Sequence, residues 1–292
     1  MQRPNLFFLL IFFSLIIGCS KDPELREVTV PEFTVTDIPS SKVRYDSAFD
    51  ILGVGFPEVQ VGIRVTISDV QANFTIVNDT LMSVLVNRVI PSGNSTVKVF
   101  RLNEEIYRSD IRVLMELFRD TIVNLRAIGS ENVPDDGPFR RFDLIGGFST
   151  GNTQEWDVAF RGATIAVNGG DEVGVIGEPV RNADVGGLVV ELPYDQVLNA
   201  DGLSFLQDAP GQWAIPDAPE LGWYQLENND QIIAPISGRT LVFRTRDGHF
   251  AKMEVLSYYL NSPENPDPEI DQDRTYTFRY TYNPNAGETF LK

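Results

Sequence analysis

Leu241-Val242-Phe243-Arg244-Thr245-Arg246-Asp247-Gly248-His249-Phe250-Ala251-Lys252-Met253-Glu254-Val255-Leu256-Ser257-Tyr258-Tyr259 is the stretch that decides the fold. Apolar and polar residues alternate on either side of Asp247-Gly248, a pair that suits tight hairpins because both positions tolerate positive φ. The stretch reads as two antiparallel strands joined by a type I′ turn, with Val242, Arg244 and their partners on one face. Tyr276-Thr277-Phe278-Arg279-Tyr280-Thr281-Tyr282 keeps the same two-residue period and reads as a further strand paired with the hairpin. Between them Asn261–Asp273, with Pro263, Pro266 and Pro268 among acidic side chains, reads as a solvated loop. Asp267, Glu269, Asp271 and Asp273 alternate there without the glycine and terminal glutamate of a calcium hand.

Upstream, the pattern stays β. Phe33–Thr36, Val59–Val61, Ile63–Ile67, Met82–Val86 and Thr96–Phe100 alternate as half-buried strands do, and Pro39-Ser40-Ser41, Asn78-Asp79 and Pro91-Ser92-Gly93-Asn94 supply turns. A length of 292 residues suits two folded units, and the 23 glycines and 18 prolines argue against long helices. The fold class expected is all-β. An immunoglobulin-like sandwich is expected over 28–115 and a second β-domain over 116–292, with Glu116–Asn124 as the link. Gly53-Val54-Gly55-Phe56 and Pro91-Ser92-Gly93 resemble the pattern of TIG/IPT domains, which implies a spacer or interaction module. The Gly53-x-Gly55 pair lacks the third glycine and the following helix of a dinucleotide fingerprint.

The first residues form an address. Arg3 precedes an apolar run, Leu6–Ile17, broken only by Ser14. Twelve residues of helix would cover about 18 Å, short of the roughly 30 Å hydrocarbon core, so the run reads as the apolar segment of a secretory signal. It ends Ile16-Ile17-Gly18-Cys19, which resembles a bacterial lipobox, and Cys19 is the single cysteine of the chain. The resemblance implies cleavage after residue 18, lipidation of Cys19 and a tether over 19–27. The anchor would hold the protein in a membrane, because each buried CH₂ contributes about 0.8 kcal/mol. Cys19-Ser20-Lys21-Asp22-Pro23-Glu24 is similar to the acidic export signals of Bacteroidetes surface lipoproteins, which implies the outer membrane and its exposed side. Asp46-Ser47-Ala48, Asp79-Thr80-Leu81 and Asp120-Thr121-Ile122 resemble O-glycosylation acceptors of secreted proteins from that group.

Composition narrows the chemistry. Lys and Arg number 24 against 41 Asp and Glu, a formal charge of −17, which repels phosphate backbones and makes nucleic acid a poor partner. One cysteine excludes a disulfide framework or a multi-cysteine metal site, and one histidine leaves little for catalysis. Gly147-Phe148-Ser149-Thr150-Gly151 matches the Gly-x-Ser-x-Gly pentapeptide, yet strand patterns rather than a helix follow it. The chain is expected to be no enzyme. Trp213, Trp223-Tyr224 and Tyr258-Tyr259 are read as sandwich core that could also line a pocket.

Residues 116–292 resemble the HmuY family of haem-capturing surface lipoproteins. The matching elements, in order, are Asp120–Leu125, Phe142-Asp143-Leu144, Trp156-Asp157-Val158-Ala159-Phe160, Val167-Asn168-Gly169-Gly170, the Thr245–Lys252 hairpin, Ser257-Tyr258-Tyr259 and the tyrosine-rich strand. The resemblance implies a β-domain that holds haem iron between two axial His or Met side chains, with a TonB-dependent receptor or a haemoprotein as partner. The first ligand would follow the Trp-Asp-x-Ala run, where this chain has Arg161, a side chain that stays protonated and cannot coordinate iron. Between Gly162 and Gly248 there is neither His nor Met. The remaining candidates for iron are His249, Met253 and Tyr194. His249 and Met253 share one face of a strand roughly 13 Å apart, too far to sandwich one iron. The expectation is a non-catalytic surface lipoprotein capturing haem or a related ligand. The alternative is an adhesion or structural module of the same fold that has lost haem ligation.

Overall fold

The computed structural model describes residues 30–128, 137–229 and 231–292. The signal segment 1–18, Cys19 and the tether 19–27 lie outside the described residues. The fold is all-β: the described residues form strands in five sheets, with one 3₁₀ turn, Tyr194–Gln196, and no α-helix. No helix among them is long and apolar enough to cross a membrane.

Two sheets build the first half. One orders Thr34–Asp37, Ala48–Val54, Leu81–Leu85 and Asn73–Asn78; the other orders Lys42–Arg44, Glu104–Leu114, Gly93–Arg101, Ile63–Ile67 and Val70–Gln71. Alternate residues of both meet in one core, Ile51, Met82 and Val84 from the first against Val65, Val97 and Val99 from the second, each fully buried. That is a sandwich. Gly53 is required because a Cβ there would stand 2.4 Å from the Thr34 carbonyl oxygen and 2.4 Å from the Phe56 ring. Phe56 in turn packs on Phe33, ring centroids 5.4 Å apart. The Gly-x-Gly-Phe stretch is thus a packing device. Val59-Gln60-Val61 is not a strand: it lies in the loop before Gly62 (φ +77°), with both valines about 60% exposed. Three alternating residues between Pro57 and a left-handed glycine are too few to hold a ladder.

The second half is organised by an antiparallel sheet ordered Phe118–Arg126, Thr275–Asn283, Phe250–Ser257, Thr240–Arg244 and Gly186–Val190. Glu116–Asn124 is therefore not simply a link, since Phe118–Arg126 is an edge strand that pairs along Thr275–Tyr282. Its side chains are mostly exposed, with Leu125 the buried exception, which is why no apolar alternation marks it. One face of the sheet meets a smaller sheet of Phe148–Ser149, Arg140–Asp143, Val158–Arg161 and Thr164–Val167. Phe142 meets Phe278 edge-on at 5.3 Å, and Phe160 stacks on Phe278 at 5.6 Å and tilts against Tyr276 at 4.9 Å. Such pairs add about 0.5–1.5 kcal/mol each beyond area burial. Trp223, Tyr258 and Tyr259 are core as well.

The hairpin pairs Val242 with Lys252 and Arg244 with Phe250. Its turn differs from type I′. Thr245 N donates to His249 O and Gly248 N to Thr245 O, both at 2.9 Å, and only Gly248 of the loop has positive φ. The connection is Arg246-Asp247-Gly248, a turn closed by a left-handed glycine. The Asp247 carboxylate fixes it by accepting from Thr245 Oγ1 and Tyr282 Oη, each at 2.5 Å.

Candidate functional site

The even-numbered residues of Phe250–Ser257 face away from the aromatic core, as do Thr281 and Arg279 of the neighbouring strand. Val197, Ala200 and Leu291 cover one end of this outer face by packing on Val242. Beside that cover lies an open cleft of about 570 Å³, lined by Arg119, Tyr194, Lys252, Arg279, Thr281 and Lys292, with Asp120 and Asp195 also at its wall.

Lys252 is only 3% exposed. Its Nζ donates to the carbonyls of Tyr194 at 2.7 Å and Val197 at 2.9 Å, and stands 4.3 Å from the Tyr194 ring centroid. Burial pushes its pKa down to about 8. Two of the three ammonium N–H groups are thus taken. The Arg279 guanidinium lies over the same ring, 4.2 Å from the centroid, while its Nε donates to Glu254 at 2.6 Å. Arg119 is exposed and makes no ion pair with the described residues. The Tyr194 ring contacts two cations, and its hydroxyl shares a 2.7 Å hydrogen bond with Thr281. Burial raises the phenol's pKa, so the ring stays neutral. The arrangement can hold an anion; it offers no nucleophile paired with a base.

The three haem-ligand candidates do not meet. Met253 is fully buried in the aromatic core. His249 lies on that same side of the sheet, beside the hairpin turn, with Nδ1 2.8 Å from both Tyr282 Oη and an Asp247 oxygen. Tyr194 is on the opposite face. The residues present therefore do not fit a haem iron held between two of them. Arg161, where the resemblance places the first ligand, donates to the carbonyls of Gly137 at 2.8 Å and Ile176 at 2.5 Å and covers the Phe139 ring at 4.2 Å.

The other matching motifs serve structure. Asp157 is fully buried and accepts from Leu144 N (2.9 Å), Arg246 N (2.8 Å) and Arg246 Nη1 (2.7 Å), which pins the hairpin tip to the smaller sheet. Burial raises its pKa to about 6 despite these donors. Asn168 ties Trp156 O to Asn182, and a Cβ on Gly169 or Gly170 would sit 2.0 Å from the backbone oxygen of Val185 or Asp208. Ser149 belongs to a short strand paired with Phe142 and donates to Arg141 O at 3.3 Å, so the pentapeptide forms no strand-to-helix elbow. The acidic loop caps itself, Asp267 N on Asp271 and Glu269 N on Asp267. Among the described residues no group of acidic, His or Cys side chains is arranged to hold a metal ion.

The cationic cleft was not singled out by sequence reasoning, although Tyr194 was. The signal for Lys252 and Arg279 is their parity: each occupies the polar register of a strand whose other register is core. Their convergence on Tyr194 is a long-range product of the fold.

No family model and no curated protein matches the chain. Similar solved structures include a protein of unknown function from Bacteroides thetaiotaomicron VPI-5482, 12% identical, covering 74% of this chain and 47% of that one, TM-score 0.26. Two auxiliary nutrient binding proteins also match. The one from Bacteroides ovatus ATCC 8483 is 11% identical over 77% of this chain and 67% of that one, TM-score 0.22. The one from Bacteroides thetaiotaomicron VPI-5482 is 10% identical over 76% and 56%, TM-score 0.24. The chain spans about half the length of the first of these proteins.

Proposed function

We propose that the chain is an outer-membrane lipoprotein, anchored through Cys19 and exposed at the cell surface, whose second half captures a small organic anion without transforming it. The observation that carries this reading is the gathering of Arg119, Lys252, Arg279 and Lys292 at one cleft of a protein whose net charge is −17. Here one of them is buried against two carbonyls and another carries no ion pair among the described residues. The buried ammonium keeps one N–H for an anion, and the exposed Arg119 at the same cleft adds to the attraction. The first-half sandwich, with its TIG-like motifs, acts as a spacer between anchor and cleft.

The test is titration of the full chain, purified in detergent, with galacturonate and with citrate at low and at physiological salt. Saturable binding that weakens with salt and is lost in Arg279→Gln supports capture. No binding of either anion at 10 mM-order concentrations, or binding indifferent to Arg279→Gln, overturns it.

A further inference from the structure

A single small carboxylate would fill little of the cleft, and the cations do not stop at its edge. Arg119 and Lys292 also line a second cleft of about 330 Å³, whose other wall comes from the first half: Arg44 and Tyr45, facing Phe290 and the segment around Glu116. The Arg44 guanidinium sits 4.6 Å over the Phe290 ring centroid. The two clefts share two cationic side chains at their common border, so that together they outline a trough.

We infer that this trough is a single site running across the junction of the two halves, and that it takes an elongated organic or inorganic polyanion with charges spread along its length. The inference rests on the anion-capture reading above and extends it to the ligand's class. Along the trough stand Arg44, Arg119, Lys292, Arg279 and Lys252. Against these five cations stand Asp120, Asp195 and Glu254, the last two both on Arg279 at 3.5 and 2.6 Å, while Glu116 is engaged by Arg88 at 3.0 Å. The balance therefore favours anions over the whole length. The combined volume falls in the range of sites that enclose a ligand of several rings or repeat units, about 300–1,000 Å³.

The junction is also held in place, as a site spanning it requires. Glu288 accepts from Lys42 at 2.9 Å and lies 3.7 Å from Arg112. Asn285 accepts from Met115 N at 2.7 Å and donates to Met115 O at 2.9 Å, and Arg112 donates to Ala286 O. Ordering these side chains before a ligand arrives lowers the entropy lost on binding. A double-stranded nucleic acid is a poor occupant, because the −17 net charge repels it beyond the few contacts the trough supplies.

An acidic oligosaccharide and a polyphosphate chain present this same chemistry, and they are the two arms of the test. Galacturonate, hexagalacturonate, inorganic phosphate and a short polyphosphate are titrated into the full chain, into Arg44→Gln and into Arg108→Gln, an exposed control on the sandwich paired with Glu105. The long member of at least one pair should bind about tenfold or more tighter than its monomer. Arg44→Gln should cost about fivefold or more for the long member only, and Arg108→Gln nothing. If the monomers bind but Arg44→Gln leaves the long ligands unchanged, the spanning site is wrong and the smaller cleft stands. If no member of either pair binds and citrate does not bind either, the capture reading falls and the spanning site with it; if citrate alone binds, only the spanning site falls.

Discussion

Replacing Arg246 by methionine tests how the hairpin is held. Arg246 Nη1 is 2.8 Å from Asp143 and 2.7 Å from Asp157, carboxylates whose side chains are 7% and 0% exposed. Removing one partner of a buried pair costs about 3–5 kcal/mol when the other charge is stranded. Two facts lower that figure here. The guanidinium is itself 18% exposed, and each carboxylate keeps backbone donors: Ile145 N and Gly146 N for Asp143, Leu144 N and Arg246 N for Asp157. We expect a loss of about 2–3 kcal/mol at pH 7.5. The pH dependence follows from Asp157, which burial raises from 3.8 to about 6. A raised carboxylate binds its proton more tightly in the native state, so its contribution to stability is greatest below the unfolded pKa and declines as pH climbs toward 6. Without the guanidinium that decline continues above 6. Urea denaturation followed by tryptophan fluorescence should therefore show the variant's deficit shrinking to under about 1 kcal/mol at pH 5. An equal deficit at pH 5 and pH 7.5, or none at either, would refute the clamp.

Four further outcomes are expected. Haem titrated into the full chain should give no Soret shift that depends on the candidate ligands; a band lost in His249→Ala or Met253→Ala would show that those side chains do reach iron. Galacturonate affinity should fall between pH 7 and 9, because Lys252, held near pKa 8 by burial, loses the charge the anion needs, and Lys252→Met should flatten the profile; an unchanged slope in that variant assigns the pH dependence elsewhere. Gly170→Ala should destabilise by about 2 kcal/mol or more, since the new Cβ would lie 2.0 Å from Asp208 O on a backbone at φ +84°, and a thermal midpoint within a degree of wild type contradicts this. Cells fed labelled palmitate should yield labelled wild-type chain and unlabelled Cys19→Ser; unlabelled wild type removes the anchor.

The hairpin and the tyrosine-rich strand were legible because each carries its core on one parity and its polar side chains on the other. That same parity places Lys252 and Arg279 on the face away from the aromatic core. It could not show that residues 194–200 fold back over them, because the contact between Lys252 and Tyr194 spans 58 positions of chain. Phe118–Arg126 reads as part of a link because an edge strand with one buried residue has almost no apolar rhythm. The type I′ assignment at Asp247-Gly248 failed for a different reason: a side chain, Asp247, took the hydrogen bonds of Thr245 and Tyr282 and chose the turn. The glycine pairs were visible as motifs, but their purpose, backbone passing within contact of backbone, depends on partners such as Val185 and Asp208 that local pattern does not name.

The strand Thr275–Asn283 pairs on one side with Phe118–Arg126 and on the other with Phe250–Ser257, and it follows both in the chain. Every other described strand therefore emerges before the main sheet of the second half can close. Contacts this distant in sequence are slow to form, since loop-closure entropy must be met first. The cleft that rests on that strand is therefore among the last parts of the described fold to take shape. Under the export reading proposed above, a polypeptide passed unfolded through a channel would travel without that site and mature only at its destination.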